Sequence, residues 1–270
     1  MIRDETGYNP YENIHPLMII ESHETAISLI HKCANASLNR GKFPTESKRD
    51  HKILDPKPSK ESYNHTESYR PVTLESIISK CITRIMKNRL DWKFETSNIL
   101  ANTQEAYRKN RSCNDIVLKL TQSIQEALNL NKTTIVCISD FQSYFESIWR
   151  ELLIIKLGQA GIGGKFLSLI ADYLNGRKYR FSVNNIITEW EDSTIGVPQG
   201  SIIIASLLTN LYSYDSDLRN SSMNAEFSDD NIKWVSSYKE DEAVSIMQQY
   251  IDEFNDWGIK NNITIKLSSN

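Results

Sequence analysis

The sequence has 270 residues, 40% of them apolar and 24% charged, which is an ordinary globular mixture with room for one large domain or two lobes. No apolar run approaches the roughly 18 residues that a membrane helix needs, and the polar N-terminus has no signal-peptide pattern, which argues against a membrane partner. Four scattered cysteines without a CxxC pair argue against a disulfide scaffold or a zinc site, so we expect an intracellular protein with reduced thiols.

The charge is unevenly distributed along the chain. From Arg40 to Arg111 there are 16 Lys and Arg against 9 Asp and Glu, a local surplus of 7 positive charges. Because the whole chain carries −3, the remaining residues carry −10. A basic stretch beside an acidic one fits a polyanionic partner, and it equally fits a chance asymmetry.

The first half of the chain is predicted to be mainly helical. Apolar residues recur at helical spacing over residues 22–39, where a glycine and a proline then end the helix. Stronger amphipathic stripes run over residues 74–90 and 114–130. Residues 45–71 are polar, basic and contain prolines, which predicts a loop with one short hairpin.

The second half is predicted to combine strands with helices. Residues 133–139, TTIVCIS, form a continuous run rich in β-branched residues, typical of a buried central strand, and this run ends at Asp140. The other predicted elements are helices at 149–158, 164–175, 201–218 (with Ser201 as N-cap) and 239–257, strands at 179–184, 187–195 and 263–267, and a hairpin within 224–237. This order predicts an α+β fold with antiparallel strands backed by helices on one face.

The predicted hairpin carries two adjacent carboxylates, Asp229 and Asp230, in the stretch NAEFSDDNIKWVSS. A polar hairpin tip and a metal site both explain such a pair, and Asp140 fits a solvated strand end or helix cap as well as a metal ligand. If the strand before Asp140 lies beside this hairpin, three carboxylates meet at one edge of a sheet. Two Mg²⁺ ions about 3.5–4 Å apart would then relieve their repulsion and support nucleotidyl transfer.

Several short motifs follow one another along the chain: GKFP at 41–44, DPKPSK at 55–60, SYRPVTLESIISKCITRIM at 68–86, QEAYRKNRSCND at 104–115, DFQSYF at 140–145, GVPQGS at 196–201 and FSDD at 227–230. In this order and spacing they resemble the reverse transcriptases of non-LTR retrotransposons, in particular the jockey-like group of insect elements. Each motif is weak alone, but the succession covers roughly residues 15–267 and argues against chance.

The resemblance implies an α+β, right-hand polymerase fold whose antiparallel palm sheet is backed by helices. The expected divisions are a helical lead-in at 1–44, fingers with an interleaved palm helix at 45–132, and a palm at 133–270, with the thumb outside this sequence. The implied activity is that of an RNA-directed DNA polymerase. Its implied partners are an RNA template, a DNA primer and dNTPs, and its implied cofactor is a pair of Mg²⁺ ions, with Mn²⁺ as a substitute.

The same resemblance implies roles for particular residues. Asp140, Asp229 and Asp230 would be catalytic, and Asp140 and Asp229 would bind metal together with the backbone around Phe141. The implied nucleotide-binding residues are Lys57, Arg70, Phe141, Phe145 (as a gate against a ribose 2′-hydroxyl) and Gln199. The implied template- and primer-binding residues are Arg108, Lys109, Arg111 and Gly200. Solvated loop cations remain the alternative for Lys57 and Arg70, and a core aromatic remains the alternative for Phe145.

Four features depart from the family pattern. Tyr144 stands where the family has a small residue, Asn110 replaces a glycine, and a lysine expected near Ser269 is missing. One extra residue in the helix after GVPQGS would rotate the following side chains by about 100°. Two other hypotheses therefore stand beside an active polymerase: an inactive retroelement remnant that at most binds RNA through residues 40–111, and an unrelated α+β protein with a solvent-facing acidic turn.

Overall fold

A computed structural model describes residues 14–183, 186–203, 209–216 and 223–267. The described residues form two compact units, each built from two separate stretches of chain. Unit 1 contains Met1–Trp92 and Ile154–Ile204, and unit 2 contains Lys93–Leu153 and Ala205–Asn270. This division neither repeats nor tests the three segments expected from the sequence, which remain predictions.

The regular elements are runs of one to three helices separated by runs of one to three strands. In order they are α1 (Pro16–Glu21), α2 (His23–Arg40), β1 (Arg49–Pro56), β2 (Tyr69–Leu74), α3 (Ile77–Thr96), α4 (Cys113–Asn129), β3 (Thr133–Gln142), α5 (Tyr144–Ser147), α6 (Arg150–Gln159), α7 (Gly164–Leu174), β4 (Arg177–Val183), β5 (Ile186–Ile187), β6 (Glu191–Ser193), α8 (Thr209–Tyr212), β7 (Met223–Phe227), β8 (Asp230–Ser237), α9 (Glu240–Lys260) and β9 (Thr264–Leu267). None of the helices within the described ranges is long and apolar enough to cross a membrane.

Local sequence signals set several helix ends. Helix α2 stops at Gly41, which adopts the left-handed φ of 64° and donates its N–H to the carbonyl of Ser37, closing the last turn. Helix α4 starts with a capping box in which Ser112 and Asp115 satisfy each other's backbone N–H groups. The helix predicted from residue 74 begins at Ile77 instead, because Leu74 still pairs with His51 in a sheet.

Unit 1 contains a mixed sheet with strand order β2-β1-β4-β5, and β6 also pairs with β4. Strands β1 and β2 form an antiparallel hairpin, longer than the single short hairpin expected between residues 45 and 71. Strands β1 and β4 are parallel, a pairing that the sequence analysis did not predict, because it assigned residues 45–71 to a loop with one short hairpin. A parallel pair needs a long crossover, and its partner strands lie too far apart in the chain for local patterns to reveal the pairing.

A buried ion pair joins β1 to the start of β4 in unit 1. The guanidinium of Arg177 donates to both carboxylate oxygens of Asp50, at 2.9 Å from Nε to Oδ2 and 2.6 Å from Nη2 to Oδ1. Its Nη1 also donates to the backbone carbonyl of Tyr173, at 3.2 Å. Both side chains of the pair are at most 5% exposed, so the Asp50 charge depends on Arg177 for compensation. Arg177 has a second buried partner, since Oε1 of Glu75 lies 3.6 Å from its Nη2.

Unit 2 contains a fully antiparallel sheet with strand order β7-β8-β3-β9, as the sequence predicted. Strand β3 occupies the expected central position, but it continues through Asp140 to Gln142 rather than ending there. It is also less buried than expected, since Val136 and Ile138 are 38% and 44% exposed on the face that also carries Asp140. A β-branched run is equally compatible with a strand that has one open face.

Helices pack on both faces of this sheet, rather than on the single face predicted. On one face Phe141 of β3 lies 5.8 Å from Phe254 and 5.7 Å from Trp257 of α9, measured between ring centroids. On the other face Ile116 of α4 packs with Trp234 of β8 and neighbouring side chains of β7. Helix α4 also contacts β3, yet Val136 and Ile138 of β3 remain partly exposed on this face.

The helix predicted over residues 201–218 is only partly visible. Ser201 is not its N-cap, because residues 202–203 form a turn, and a short helix covers Thr209–Tyr212. Residues 204–208 and 217–222 lie outside the described residues. The helix in which one extra residue was expected is therefore only partly described, and Ser269 is not described.

We expect replacement of Asp50 by Asn to lower the free energy of unfolding by about 3–5 kcal/mol, because it breaks the buried two-pronged ion pair and leaves Arg177 only its longer ionic contact to Glu75. Asp192→Asn is the matched control, since the Lys178–Asp192 pair is 49% and 71% exposed. That control should cost no more than about 1 kcal/mol. Urea unfolding measures both, and equal losses for the two variants would contradict the assignment of Asp50 as a buried structural partner.

Candidate active site

The pairing of β3 with β8 brings the three aspartates of the sequence analysis together. Asp140 lies directly opposite Asp230 in the antiparallel register. The next hydrogen bond runs from the N–H of Phe141 to the carbonyl of Asp229, with an N···O distance of 3.4 Å. The three residues therefore lie at the end of the sheet where β7 turns into β8.

The turn between β7 and β8 contains only Ser228 and Asp229. Ser228 adopts a left-handed backbone, with φ of 63°, as tight two-residue hairpin turns require. This geometry sends the chain straight from Phe227 back into Asp230, which are register partners. The acidic pair therefore lies at a polar hairpin tip, which was one of the two explanations offered by the sequence. It also lies next to a third carboxylate, that of Asp140.

The electrostatics of the three carboxylates are unfavourable when all are ionised. Burial raises the pKa of Asp140, and the charges of Asp229 and Asp230 raise it further, while the Phe141 N–H and Lys266 act in the opposite direction. Burial and the charge of Asp229 likewise raise the pKa of Asp230. A bound cation would remove this repulsion.

The donor chemistry of this sheet end fits a hard divalent cation. Aspartate carboxylates and a backbone carbonyl are the oxygen ligands that Mg²⁺ prefers. Across the described ranges, however, no three His, Cys, Asp or Glu side chains are already arranged as a metal-binding set. The backbone register brings the carboxylates to one place, and binding would require their side chains to turn toward a common ion.

The aromatic residues after Asp140 point into the core of unit 2. Tyr144 is 2% exposed, its ring centroid lies 4.9 Å from that of Phe141, and its hydroxyl hydrogen-bonds with Ser213. Burial raises the pKa of this phenol well above its usual value. Phe145 is also buried, with its ring 5.7 Å from that of Tyr144. The bulky Tyr144 side chain is therefore accommodated inside the unit and does not project into solvent.

In the basic turn before α4, two cationic side chains are paired with protein groups and one is exposed to solvent. Arg108 forms a two-pronged ion pair with Glu95, at 2.9 Å for each contact, and donates to the carbonyl of Ala101 at 2.8 Å. Arg111 donates to the carbonyl of Asn102 and pairs with Glu105. Lys109 is exposed. Among these three cations, Lys109 is the most available for a phosphate.

The expected nucleotide clamp lies on the β1–β2 hairpin of unit 1. Arg70 is exposed and lies opposite Asp55 in the hairpin register. Lys57 follows the end of β1, and its N–H donates to the carbonyl of Ser68 at 2.9 Å. The two cations therefore sit near the same end of one hairpin, as a clamp requires.

The GVPQG turn packs against β2 within unit 1. The carbonyl of Gln199 accepts the N–H of Thr73 at 2.8 Å. Gly200 has φ of 109°, and a Cβ there would lie 2.9 Å from the carbonyl oxygen of Thr73. Glycine is therefore required by a close approach to the protein's own backbone, in addition to the approach to nucleic acid implied by the resemblance.

Sequence reasoning missed the polar residues that surround the β7–β8 turn. Gln104, Glu226 and Asn231 are buried and hydrogen-bonded to one another through Glu226. Two signals were available: Gln104 is the first residue of the motif at 104–115, and Glu226 is a glutamate within an apolar-alternating strand, where a buried carboxylate needs partners. Neither signal identifies the partner, because Gln104 and Glu226 are 122 positions apart in the chain.

Comparison with known proteins connects this geometry to one family. Residues 56–268 match the family model described as reverse transcriptase (RNA-dependent DNA polymerase). Among curated proteins, the RNA-directed DNA polymerase from mobile element jockey of Drosophila funebris is 25% identical, covering 86% of this chain and 26% of the relative. The probable RNA-directed DNA polymerase from transposon BS of Drosophila melanogaster is 28% identical, covering 83% and 25%.

A third relative and a solved structure agree with these matches. The probable RNA-directed DNA polymerase from transposon X-element of Drosophila melanogaster is 27% identical over 90% of this chain and 27% of the relative. An apo telomerase from Candida tropicalis, truncated from its C-terminal domain, superposes with a TM-score of 0.54 at 10% identity, over 83% of this chain and 51% of that one. The chain spans about a quarter of the length of these curated relatives.

We expect Asp140→Asn to stabilise the protein at neutral pH in the presence of a chelator, by about 0.2–1 kcal/mol, the usual scale of a cross-strand pair. The pKa of Asp140 is raised in the fold, so ionisation costs the folded state stability, and that cost appears as pH rises. The advantage of the variant should therefore vanish below the usual aspartate pKa of 3.8.

Urea unfolding at several pH values measures this difference. Asp252→Asn serves as the control, because Asp252 is exposed on α9 and bonds only locally with Gln248 in the described contacts. A loss of stability in Asp140→Asn at neutral pH would refute the proposed repulsion.

Proposed function

Because the chain belongs to the reverse transcriptase (RNA-dependent DNA polymerase) family, we propose that it catalyses RNA-directed DNA synthesis for a non-LTR retrotransposon by two-metal nucleotidyl transfer. The observation that carries the proposal is the β3–β8 register, which sets Asp140 opposite Asp230 with Asp229 beside them. Family motifs alone suggest this arrangement, and the strand pairing supplies a physical means of forming it.

In this proposal Asp140 and Asp229 would hold Mg²⁺, or Mn²⁺ in its place, with the backbone at Phe141 as a further oxygen donor. Divalent ions bound there supply Lewis acidity toward the primer 3′-hydroxyl and the triphosphate of a dNTP. Asp230 lies at the adjoining register position and holds negative charge next to that centre. The family generally uses divalent metal ions, and the donor set of this chain agrees with that use.

The remaining residues would bind the nucleotide and the nucleic acids. Arg70 offers a guanidinium fork and Lys57 a point charge, which together suit a triphosphate. Phe145 is buried, which favours the core-aromatic alternative, and its exclusion of a ribose 2′-hydroxyl is a proposal from the resemblance. Gln199 would contact the nucleotide. We further propose that Lys109 contacts the phosphates of the RNA template.

Template and primer contacts by Arg108, Arg111 and Gly200 remain proposals of the resemblance. The ion pair between Arg108 and Glu95 supports a structural role for that cation. Arg111 is likewise paired with Glu105, and its side chain is 27% exposed. If these cations act on nucleic acid, they do so mainly by holding the turn that presents Lys109.

A second candidate function is an inactive remnant that binds RNA. Two observations favour keeping it: the absence of a ready-made set of three metal-ligating side chains in the described ranges, and the substitution at Tyr144. The buried position of the Tyr144 ring weakens the second observation. Primer extension separates the two functions.

We expect the full chain to extend a DNA primer on an RNA template with Mg²⁺ or Mn²⁺, and Asp229→Asn to lower the rate by about 1,000-fold or more. A catalytic metal ion is worth several kcal/mol in the transition state, and each 1.36 kcal/mol corresponds to about tenfold in rate. Extension is measured with dNTPs on a labelled primer, and rNTPs test the gate at Phe145.

Asp252→Asn is the control for a charge change on the surface of unit 2. If wild type and Asp229→Asn are equally silent while RNA still binds at low salt, the remnant function replaces the polymerase function.

For RNA binding, we expect Lys109→Ala to weaken affinity for unrelated sequences alike and to reduce the slope of log affinity against log salt by about 1. Each phosphate contact releases counterions, so one lost contact removes one unit of that slope. Lys239→Ala is the control, because Lys239 lies beyond the far end of β8 from Asp230. Titrations at several salt concentrations decide the matter, and an unchanged slope in Lys109→Ala would exclude this contact.

A further inference from the structure

A buried amide holds the turn that carries Asp229. Gln104 is 2% exposed, and its side-chain oxygen accepts two backbone N–H groups, from Ser228 at 3.2 Å and from Ala106 at 3.0 Å. Its side-chain nitrogen donates to Oε2 of Glu226 at 3.3 Å. One side chain thus joins the segment before α4 to both the end of β7 and the turn that follows it.

The backbone brings Gln104 to this position. The N–H of Glu105 donates to the carbonyl of Glu226 at 2.9 Å, and the N–H of Glu226 donates to the carbonyl of Thr103 at 2.8 Å. These two bonds form a parallel bridge between Gln104 and Glu226. The segment around Gln104 therefore lies along the outer edge of β7, next to the turn.

Glu226 extends the network across the hairpin. Its Oε1 accepts from the hydroxyl of Ser216 at 3.1 Å and from the side-chain nitrogen of Asn231 at 3.4 Å. Asn231 in turn accepts from the hydroxyl of Tyr250 on α9, at 3.0 Å. Residues on either side of the Ser228–Asp229 turn are therefore tied to the same buried carboxylate.

The turn needs this support for a physical reason. Ser228 is 7% exposed and left-handed, so its N–H lies away from water and requires an acceptor. Without one, the turn would open toward solvent to satisfy that group. Because Asp229 follows Ser228 directly, any such opening displaces the Asp229 side chain from Asp140 and Asp230.

An amide suits position 104 better than other side chains. It must accept from two N–H groups and also donate to a carboxylate, which glutamine does and glutamate does not. A carboxylate at position 104 would face Glu226 across a buried contact. Asparagine is one methylene shorter and reaches less far from the same backbone position.

We propose that Gln104 is a positioning residue for Asp229, fixing the Ser228–Asp229 turn so that the backbone holds Asp229 next to Asp140 and Asp230, from where the side chains can turn toward a divalent ion. This inference rests on the proposed function of the same site. It adds a residue that is hydrogen-bonded to none of the three aspartates in the described contacts. The hydrogen bonds described for its side chain go to the turn, to Ala106 and to Glu226.

The test measures Mn²⁺ affinity directly, by the relaxation of water protons around the bound ion, on the full chain. Gln104→Met keeps the length of the side chain and removes its hydrogen bonds. We expect it to weaken Mn²⁺ binding by about 10–100-fold, the usual effect of losing a group that orients metal ligands. In primer extension, raising Mn²⁺ should restore the rate of Gln104→Met but not that of Asp229→Asn.

Val235→Ala controls for loss of stability. Val235 is a buried β8 residue, five positions from Asp230 and roughly 16 Å along the strand. We expect it to lower the unfolding midpoint while leaving Mn²⁺ affinity unchanged. Equal weakening in Val235→Ala and Gln104→Met would mean that general destabilisation explains the effect, and it would overturn the positioning role.

The outcomes also separate this inference from the proposed function. If wild type binds Mn²⁺ in an Asp229-dependent way and Gln104→Met binds it equally well, the positioning role fails and the polymerase proposal stands. If wild type shows no Asp229-dependent Mn²⁺ binding, the metal site itself fails, and the role of Gln104 fails with it.

Discussion

The antiparallel pairing of β3 with β8 is the constraint on which the candidate site depends. Side chains alternate between faces with a period of two, so a slip of one residue would move Asp140 away from Asp230 and reverse every buried position of the strand. The register is held from two sides. Phe141 packs on α9 and Trp234 on α4, so each face of the sheet has an apolar anchor that a slip would expose.

The same pairing explains why the acids tolerate one another. Asp140 faces Lys266 on β9 as well as Asp230 on β8, so the central strand carries repulsion on one side and attraction on the other. The buried network around Glu226 keeps the hairpin closed despite that repulsion. A sheet end that is electrostatically unfavourable, and yet mechanically supported, is a typical property of a binding site.

Much of the fold followed from the sequence, because periodicity reports local burial. The amphipathic stripes of α4 and α9 and the hairpin around Asp229 were predicted from such patterns, and the family motifs identified the fold class. The parallel pairing of β1 with β4 was not predicted, since strand partners separated by a long crossover leave no local signal. The open face of β3 was missed because a β-branched run fits a half-covered strand as well as a buried one.

For the site, the family motifs identified the three aspartates but not the buried hydrogen bonds that position their hairpin. The link from Gln104 to Glu226 spans 122 positions, and a buried amide looks like a surface residue when the sequence is taken alone. The sequence analysis overstated the effect of Tyr144. This residue departs from the family pattern, but its ring packs in the core beside Phe141. Residue type predicts chemistry well, whereas direction and partners depend on distant parts of the chain.

The ion pair between Asp50 and Arg177 has a consequence for how the chain folds during synthesis. The two residues are 127 positions apart, and at about 5–20 residues per second a ribosome needs roughly 6–25 s to make the intervening chain. Throughout that interval β1 and β2 have no β4 to pair with, and the Asp50 charge has no guanidinium to compensate it. Unit 1 therefore completes its sheet only after the first stretch of unit 2 has been made, which leaves an unpaired strand edge exposed to other chains or chaperones in the meantime.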